Sequence, residues 1–142
     1  QLLCGGPGAP AADLPAGPSE VMVVADDSAR ADFVALDLLA QAEHGPDSQA
    51  MLVTTSRELV RAVEAAIART LPRLARSAAL QASLRNSRAI VVTDLGTAAE
   101  VANAYAPEHL ILAIGNPRGL LPAIRSAGSV FLGHWTPEAL GD

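Results

Sequence analysis

Short apolar runs alternate with longer, partly apolar stretches along this chain. The runs at residues 20–25 and 49–54 are continuous, as expected for strands that are covered on both faces. Three more apolar runs follow at residues 88–93, 110–114 and 129–132, and helical patterns separate all five. This alternation of strand and helix with short connections predicts an α/β fold: a mostly parallel sheet of about five strands with helices on both faces.

Capping residues and helix breakers place the helices between these strands. Pro72 is predicted to divide the helical stretch after the second strand, because a proline inside a helix loses a hydrogen bond and clashes with the preceding turn. Gly45 and Pro46 are predicted to end the first helix. The predicted helices cover residues 29–44, capped by Asp26, Asp27 or Ser28; a stretch capped by Thr55 or Ser56; residues 73–84; a stretch from Thr93 or Asp94 to about residue 104; Asn116 to Ser126; and one that begins at Thr136.

The composition fits this fold and narrows the possible functions. Half of the 142 residues are hydrophobic but only 3% are aromatic, so the core must consist of Ala, Leu, Val and Ile. Charged residues make up 18%, below the usual quarter, which indicates surface covered by another domain or subunit. The net charge of −5 gives no support for nucleic-acid binding, which needs a basic face. No apolar run approaches the length of a membrane span, and the single cysteine, Cys4, cannot form an internal disulfide.

The first predicted helix is almost wholly apolar except for a stripe of polar side chains. Asp37, Gln41 and His44 are spaced i, i+4 and i+7, so they fall on one face of that helix. A polar stripe on a mostly buried helix must find partners, because each unpaired buried polar group costs a few kcal/mol. Two interpretations stay open, a hydrogen-bonded helix end and a metal or substrate site.

A second polar cluster, Glu108 and His109, stands between a predicted helix and the fourth strand. In an extended chain the two side chains point in different directions, so they would not simply pair with each other. A carboxylate and an imidazole that converge on one pocket supply two groups that move protons near neutral pH. The alternative is that Glu108 caps or pairs at the surface while His109 packs at a loop.

Two further polar residues stand at strand ends. Ser19 comes directly before the first strand, where it can hydrogen-bond a ligand or simply complete the turn into the strand. His134 follows the last strand and is a candidate for lining a pocket. Parallel sheets of this class bind ligands outside the carboxyl ends of their strands, so a pocket is expected at that edge.

Several segments of the chain together resemble the histidinol dehydrogenase family. They are Ala16-Gly17-Pro18-Ser19-Glu20-Val21, Gln41-Ala42-Glu43-His44-Gly45-Pro46-Asp47-Ser48-Gln49, Tyr105-Ala106-Pro107-Glu108-His109-Leu110, Gly128-Ser129-Val130-Phe131-Leu132-Gly133 and Trp135-Thr136-Pro137-Glu138-Ala139-Leu140-Gly141-Asp142. These segments occur in the family's order and at its spacing. The resemblance implies that residues 16–142 form a Rossmann-like domain of a histidinol dehydrogenase, truncated at both ends relative to the family. Residues 1–15 are then a linker rich in Gly, Pro and Ala, or an unmatched segment.

The resemblance also implies an activity. The family's enzyme oxidises L-histidinol to L-histidine through L-histidinal, the last steps of histidine biosynthesis, with two NAD⁺ and a bound zinc ion. It implies that His109 is the base for the hydroxyl proton and that Glu108 activates water for the second oxidation. From the usual donor preferences of zinc, Glu43 would be the expected ligand rather than an amide oxygen. The implied zinc ligands are Gln41, His44 and Asp142, and the implied substrate contacts are Ser19, Gln41, His44, His109 and Asp142.

By the same resemblance, most NAD contacts and the remaining ligands lie outside this chain, some of them on the partner subunit of a homodimer. A chain that begins without Met and stops at Asp142 is expected to be part of a longer protein, and to be inactive or to bind zinc poorly on its own. The expected compartment is the cytoplasm, or a plastid if the source is a plant or an alga. The alternative function is a non-catalytic Rossmann-like binding or interaction module that retains the family core. The joint presence of the implied zinc, base and water-activating residues favours the enzyme.

Overall fold

The computed structural model describes residues 20–74 and 77–136, which form a five-stranded sheet. Every pairing between neighbouring strands is parallel. The strands are β1 (Glu20–Ala25), β2 (Gln49–Thr54), β3 (Arg88–Val91), β4 (His109–Ala113) and β5 (Ser129–Leu132). Their spatial order is β3-β2-β1-β4-β5. Along the chain, the strands start at the centre of the sheet with β1, reach one edge at β3, and return to build the other half with β4 and β5, as in doubly wound sheets. The predicted fold class is confirmed.

Helices connect the strands, with two 3₁₀ turns where prolines interrupt them. The predicted break at Pro72 is confirmed, since this residue lies in the 3₁₀ turn Leu71–Arg73. The helix predicted up to Ser126 is much shorter, because Pro122 lies in a second 3₁₀ turn, Leu121–Ala123, that ends it. Within the described ranges, every helix is too short or too polar to cross a membrane. The helices are α1 (Ala31–Ala42), α2 (Arg57–Thr70), α3 (Ser77–Asn86), α4 (Leu95–Tyr105) and α5 (Pro117–Leu120).

Side chains that alternate along the strands build a core on each face of the sheet. One face packs against α1 and α2, and the other packs mainly against α4, whose alanines let it lie close to the strands. Both cores are largely aliphatic, as the composition predicts. The first includes Val21, Val23, Val34, Leu38, Leu52, Val63, Ile111 and Phe131, and the second includes Met22, Val24, Val53, Ala98, Ala102, Leu110 and Leu112.

The predicted caps agree with the structure for α2, α4 and α5 and differ for α1; at the start of α5, Asn116 Oδ1 accepts the Gly119 N–H at 3.1 Å. Ser56 Oγ accepts the Leu59 N–H at 3.2 Å, and Asp94 Oδ1 accepts the Thr97 N–H at 2.8 Å, which decides between the alternative caps predicted for α2 and α4. The prediction for α1 is wrong, because its N-cap is Arg30, which makes no capping hydrogen bond with its side chain. Asp26 instead accepts the Gly115 N–H at 2.9 Å, which joins the end of β1 to the end of β4.

The end of α1 also differs from the prediction. The helix stops at Ala42, and Glu43 is its C-cap, so His44 lies just beyond the last turn. The His44 N–H donates to the Gln41 carbonyl at 3.2 Å. Gly45 does not adopt the left-handed conformation of a terminating glycine; its carbonyl accepts the Ser48 N–H at 3.1 Å, and this turn leads into β2.

Candidate active site

Four of the candidate residues, Gln41, His44, Glu108 and His109, lie at the amino edge of the sheet. In a parallel sheet each connecting helix returns the chain from the carboxyl edge to the amino edge, so the end of α1 and the residues before β4 lie at the same edge. Val21 pairs with His109, which brings the start of β1 beside the start of β4. These candidates therefore lie at the edge opposite to the one expected from the sheet class.

Gln41 occupies the last turn of α1 and is fully buried, with 0% of its surface exposed. Leu38, one turn earlier, packs in the core of the same face, so helical spacing directs Gln41 towards the sheet. Within the part of the chain that the structure describes, neither Oε1 nor Nε2 of Gln41 makes a hydrogen bond. An unsatisfied buried amide costs about 1–3 kcal/mol, so this residue calls for a partner from elsewhere.

His44 and Asp37 do not share the environment of Gln41. His44 is exposed, although its hydrogen bond to the Gln41 carbonyl keeps the two residues one turn apart. Asp37 is half-buried and borders an open groove beside Phe33 and Leu36. The polar stripe read from the sequence is thus divided into a buried amide, an exposed imidazole and a groove-lining carboxylate.

Glu108 and His109 diverge, as the sequence predicts. His109 is the first residue of β4 and is only 7% exposed. It has the strand parity of Ile111, whose side chain packs on the α1 and α2 face, and its ring lies 5.9 Å from that of Phe131, centroid to centroid. The Glu108 side chain is exposed. His109 therefore lies on the same face of the sheet as Gln41, while Glu108 is open to solvent.

Tyr105 joins this edge through a contact that the sequence analysis missed. Its hydroxyl donates to Gln49 Oε1 at 2.7 Å, which links the end of α4 to the start of β2. Burial, followed by the charge of Glu20, raises the pKa of Tyr105 above its usual 10.0. The two partners are 56 residues apart, so local sequence patterns carry no signal for this bond.

A metal site at this edge needs ligands beyond those described. In residues 20–74 and 77–136, no group of three His, Cys, Asp or Glu side chains is placed to hold a metal ion. Gln41 and His44 together offer an amide oxygen and an imidazole, and a carboxylate would complete a set of N and O donors that zinc accepts. Ser19 and Asp142 lie outside the described residues, so their roles stay predictions.

His134 lies at the opposite, carboxyl edge. Its Nε2 is 3.2 Å from Ser28 Oγ, and that hydroxyl also hydrogen-bonds Asp26. Burial raises the pKa of Asp26, but hydrogen bonds from Ser28 and from the Gly115 N–H outweigh it and bring the pKa below its usual 3.8. The Ser28 N–H donates to Asp26 Oδ1, so the spacing Asp-x-Ser after a strand signals this turn. His134 also lines the groove that Asp37 borders, as the sequence analysis proposed, but it lies at the edge of the sheet opposite to Gln41, Glu108 and His109.

Comparisons with known proteins agree on one family. The sequence model described as histidinol dehydrogenase matches residues 7–142. The chain is 54% identical over 135 residues to histidinol dehydrogenase of Xylella fastidiosa (strain 9a5c), covering 95% of this chain and 31% of that protein. It is 53% identical over 132 residues to the Escherichia coli (strain K12) protein of the same name, covering 93% of this chain and 30% of the relative.

A solved structure gives the same result for the fold. The crystal structure of histidinol dehydrogenase from Elizabethkingia anophelis superposes with a TM-score of 0.89 at 46% identity, covering 92% of this chain and 30% of that one. The chain spans about a third of the length of the curated relatives that it matches. Over that length, the chain belongs to the histidinol dehydrogenase family.

Proposed function

We propose that the protein containing this chain oxidises L-histidinol to L-histidine through L-histidinal, in the last steps of histidine biosynthesis, with NAD⁺ as the oxidant and with zinc. One observation carries the proposal: Gln41 is buried without a partner in the described part of the chain, on the sheet face where His109 begins β4. A buried amide of this kind suits a ligand-binding site better than a structural helix end. The family membership of the chain supports the same reading.

Gln41, His44 and Asp142 would bind the zinc ion, and the reach of the chain permits this. The ring of Trp135 lies 5.1 Å from that of Phe33 on α1. Gln41 is about 12 Å further along that helix at 1.5 Å per residue. The seven residues that follow Trp135 span up to about 23 Å when extended, so a carboxylate at Asp142 can reach Gln41. A bound zinc ion would orient the substrate and stabilise developing negative charge on its oxygen.

His109 and Glu108 would handle the protons of the two oxidations. In the first, the substrate C–H bond breaks, hydride passes to NAD⁺, and the hydroxyl proton goes to His109 as the C=O bond forms. In the second, water adds to the aldehyde as Glu108 takes its proton, and a second hydride passes to a second NAD⁺. The burial of His109 and the exposure of Glu108 support this division, because the water-activating group needs access to solvent.

The proposal extends to parts of the protein beyond the described residues. Ser19 and Asp142 would contact the substrate together with Gln41, His44 and His109. The NAD site would lie mostly in other segments of the longer protein, which would act as a homodimer. A cytoplasmic location is part of the same proposal.

The test is zinc content and zinc affinity of the full-length protein, measured with NADH formation from L-histidinol. Gln41→Ala and His44→Ala are expected to lower zinc affinity by about tenfold or more, and turnover with it. His134→Ala is the matched control, since this histidine lies at the opposite edge of the sheet. A full-length protein that binds zinc and NAD⁺ but never reduces NAD⁺ with histidinol would instead be a binding module.

A further inference from the structure

Gly128, directly before β5, lies against the backbone of Glu108. The Gly128 N–H donates to the Pro107 carbonyl at 3.0 Å, and the Ser129 N–H donates to the Glu108 carbonyl at 2.8 Å. A Cβ atom added to Gly128 would lie 2.6 Å from the Glu108 carbonyl oxygen and 3.4 Å from its carbonyl carbon and Cα. Cβ atoms essentially never approach other atoms below 3.0 Å, so any side chain at this position must displace backbone.

The segment of Pro107 and Glu108 is also held in position from its N-terminal side. Ala106 ends α4 in the left-handed conformation, with φ 55° and ψ 59°, and its N–H donates to the Ala102 carbonyl at 2.8 Å. This conformation costs a non-glycine residue about 1–2 kcal/mol, so it persists because the surrounding structure imposes it. The turn at Ala106 directs the chain into Pro107 and Glu108, where the contact with Gly128 fixes it.

Asn103 ties the loop before Gly128 to α4. Its Nδ2 donates to the Ala123 carbonyl at 2.8 Å, and its Oδ1 accepts the Arg125 N–H at 2.6 Å and the Ser126 N–H at 3.2 Å. This helix also leads into Glu108, so one amide sets the position of Gly128 relative to Glu108. The segment that contains Glu108 and the loop before Gly128 are therefore both held in position by α4.

We propose that Gly128, braced by Asn103, is a positioning residue for the Glu108–His109 pair. Because Gly128 has no side chain, its backbone can lie against the Glu108 carbonyl and fix its position. The position of this carbonyl in turn fixes the directions of the Glu108 and His109 side chains at the start of β4. The inference rests on the proposed function, because it assumes that these two side chains act on the substrate. Gln41 lies on α1, which takes no part in this contact, so a defect here is expected to act on turnover and to leave zinc binding intact.

The experiment compares Gly128→Ala with Gly115→Ala in the full-length enzyme. A Cβ on Gly115 would lie 3.6 Å from Ser28 Oγ and 3.8 Å from Asp26 Oδ2, which are ordinary contacts at the other edge of the sheet. Gly128→Ala is expected to lower kcat for histidinol oxidation about 10- to 100-fold, because small misplacements of reacting groups have effects of this size. The zinc content should stay close to that of the unsubstituted enzyme, and Gly115→Ala should behave like the unsubstituted enzyme throughout.

The pH profile of kcat separates positioning from a loss of folded protein. A displaced Glu108–His109 pair shifts the limbs of the profile, whereas partial unfolding lowers the active fraction and leaves the profile and kcat per bound zinc unchanged. Retained kcat in Gly128→Ala, or an unshifted profile, overturns the inference and leaves the proposed function standing.

A second variant tests the inference if Gly128→Ala does not fold. Asn103→Ala, which adds no atoms, must lower kcat while zinc is retained, and unchanged kcat overturns the inference. An unsubstituted full-length protein that does not oxidise histidinol overturns both proposals.

Discussion

Gln41 is a polar side chain where an apolar one would fit the surrounding core. Its neighbours in the last turns of α1, Leu38 and Leu39, are buried and apolar, and the amide finds no hydrogen bond among the described residues. The sequence showed a polar stripe, but not that Gln41 is buried while His44 is exposed. The difference arises because the helix stops at Ala42, and no local breaker marks that residue.

Replacing Gln41 by leucine is expected to stabilise the metal-free protein while weakening its zinc binding. Gln41→Leu removes an unsatisfied amide, so the free energy of unfolding should rise by about 1 kcal/mol. Zinc affinity should fall by about tenfold or more. Urea unfolding of the metal-free protein and a zinc titration measure the two effects.

A second glutamine at the same edge provides the control for this substitution. Gln49 accepts the Tyr105 hydroxyl at 2.7 Å, so Gln49→Leu leaves that hydroxyl without its partner. The free energy of unfolding should then fall by about 1 kcal/mol. If Gln41→Leu destabilised the protein as much as Gln49→Leu does, the Gln41 amide would have a partner within the fold.

Helix ends that are determined by residues close in sequence were predicted well. Ser56 and Asp94 cap the helices that start beside them, and Pro72 divides the stretch where it stands. The start of α1 was not predicted, because Asp26 bonds to Gly115, 89 residues away, rather than to the adjacent helix. A local pattern cannot distinguish a capping carboxylate from one that joins two strands.

Asp26 is expected to make stability depend on pH in the acid range. Its lowered pKa means that the carboxylate is favoured in the folded state, so its contribution is present above the unfolded value of about 3.8 and disappears as the pH falls through the folded value. Asp26→Asn should therefore lower the free energy of unfolding near neutral pH, and the difference from the unsubstituted protein should shrink below pH 4. Denaturant unfolding at several pH values measures this, with the exposed neighbour Asp27→Asn as control. A difference that stays constant down to pH 2 would contradict it.

On the scale of the whole molecule, the α/β class followed from the alternation of elements, whereas the position of the site did not. The periodicity of the chain encodes which segments are strands, but the order β3-β2-β1-β4-β5 depends on pairings between distant segments. The usual location of ligands in such sheets suggested the carboxyl edge. His44 instead lies in the segment between α1 and β2, and Glu108 directly precedes β4, so both lie at the amino edge. The sequence already indicated the amino edge, because each of these residues comes at or after the end of a predicted helix and before a predicted strand.

The proposed zinc site gives a prediction about the chain in isolation. Gln41, His44 and Asp142 would supply three donors, and the relatives are about three times as long as the chain. With fewer ligands held in place, more of the binding free energy is used to order them. The isolated 142-residue chain is therefore expected to bind zinc at least about tenfold more weakly than the full-length protein.

Competition with a chelator, in the same buffer for both proteins, measures this difference. Gln41→Ala should abolish the residual zinc binding of the isolated chain, because it removes a proposed ligand that the fold already buries. His134→Ala, at the carboxyl edge, should leave that binding unchanged. Equal affinity in the isolated chain and the full-length protein would mean that this chain completes the site by itself. The longer protein would then add the NAD site and the partner subunit, but no zinc ligand.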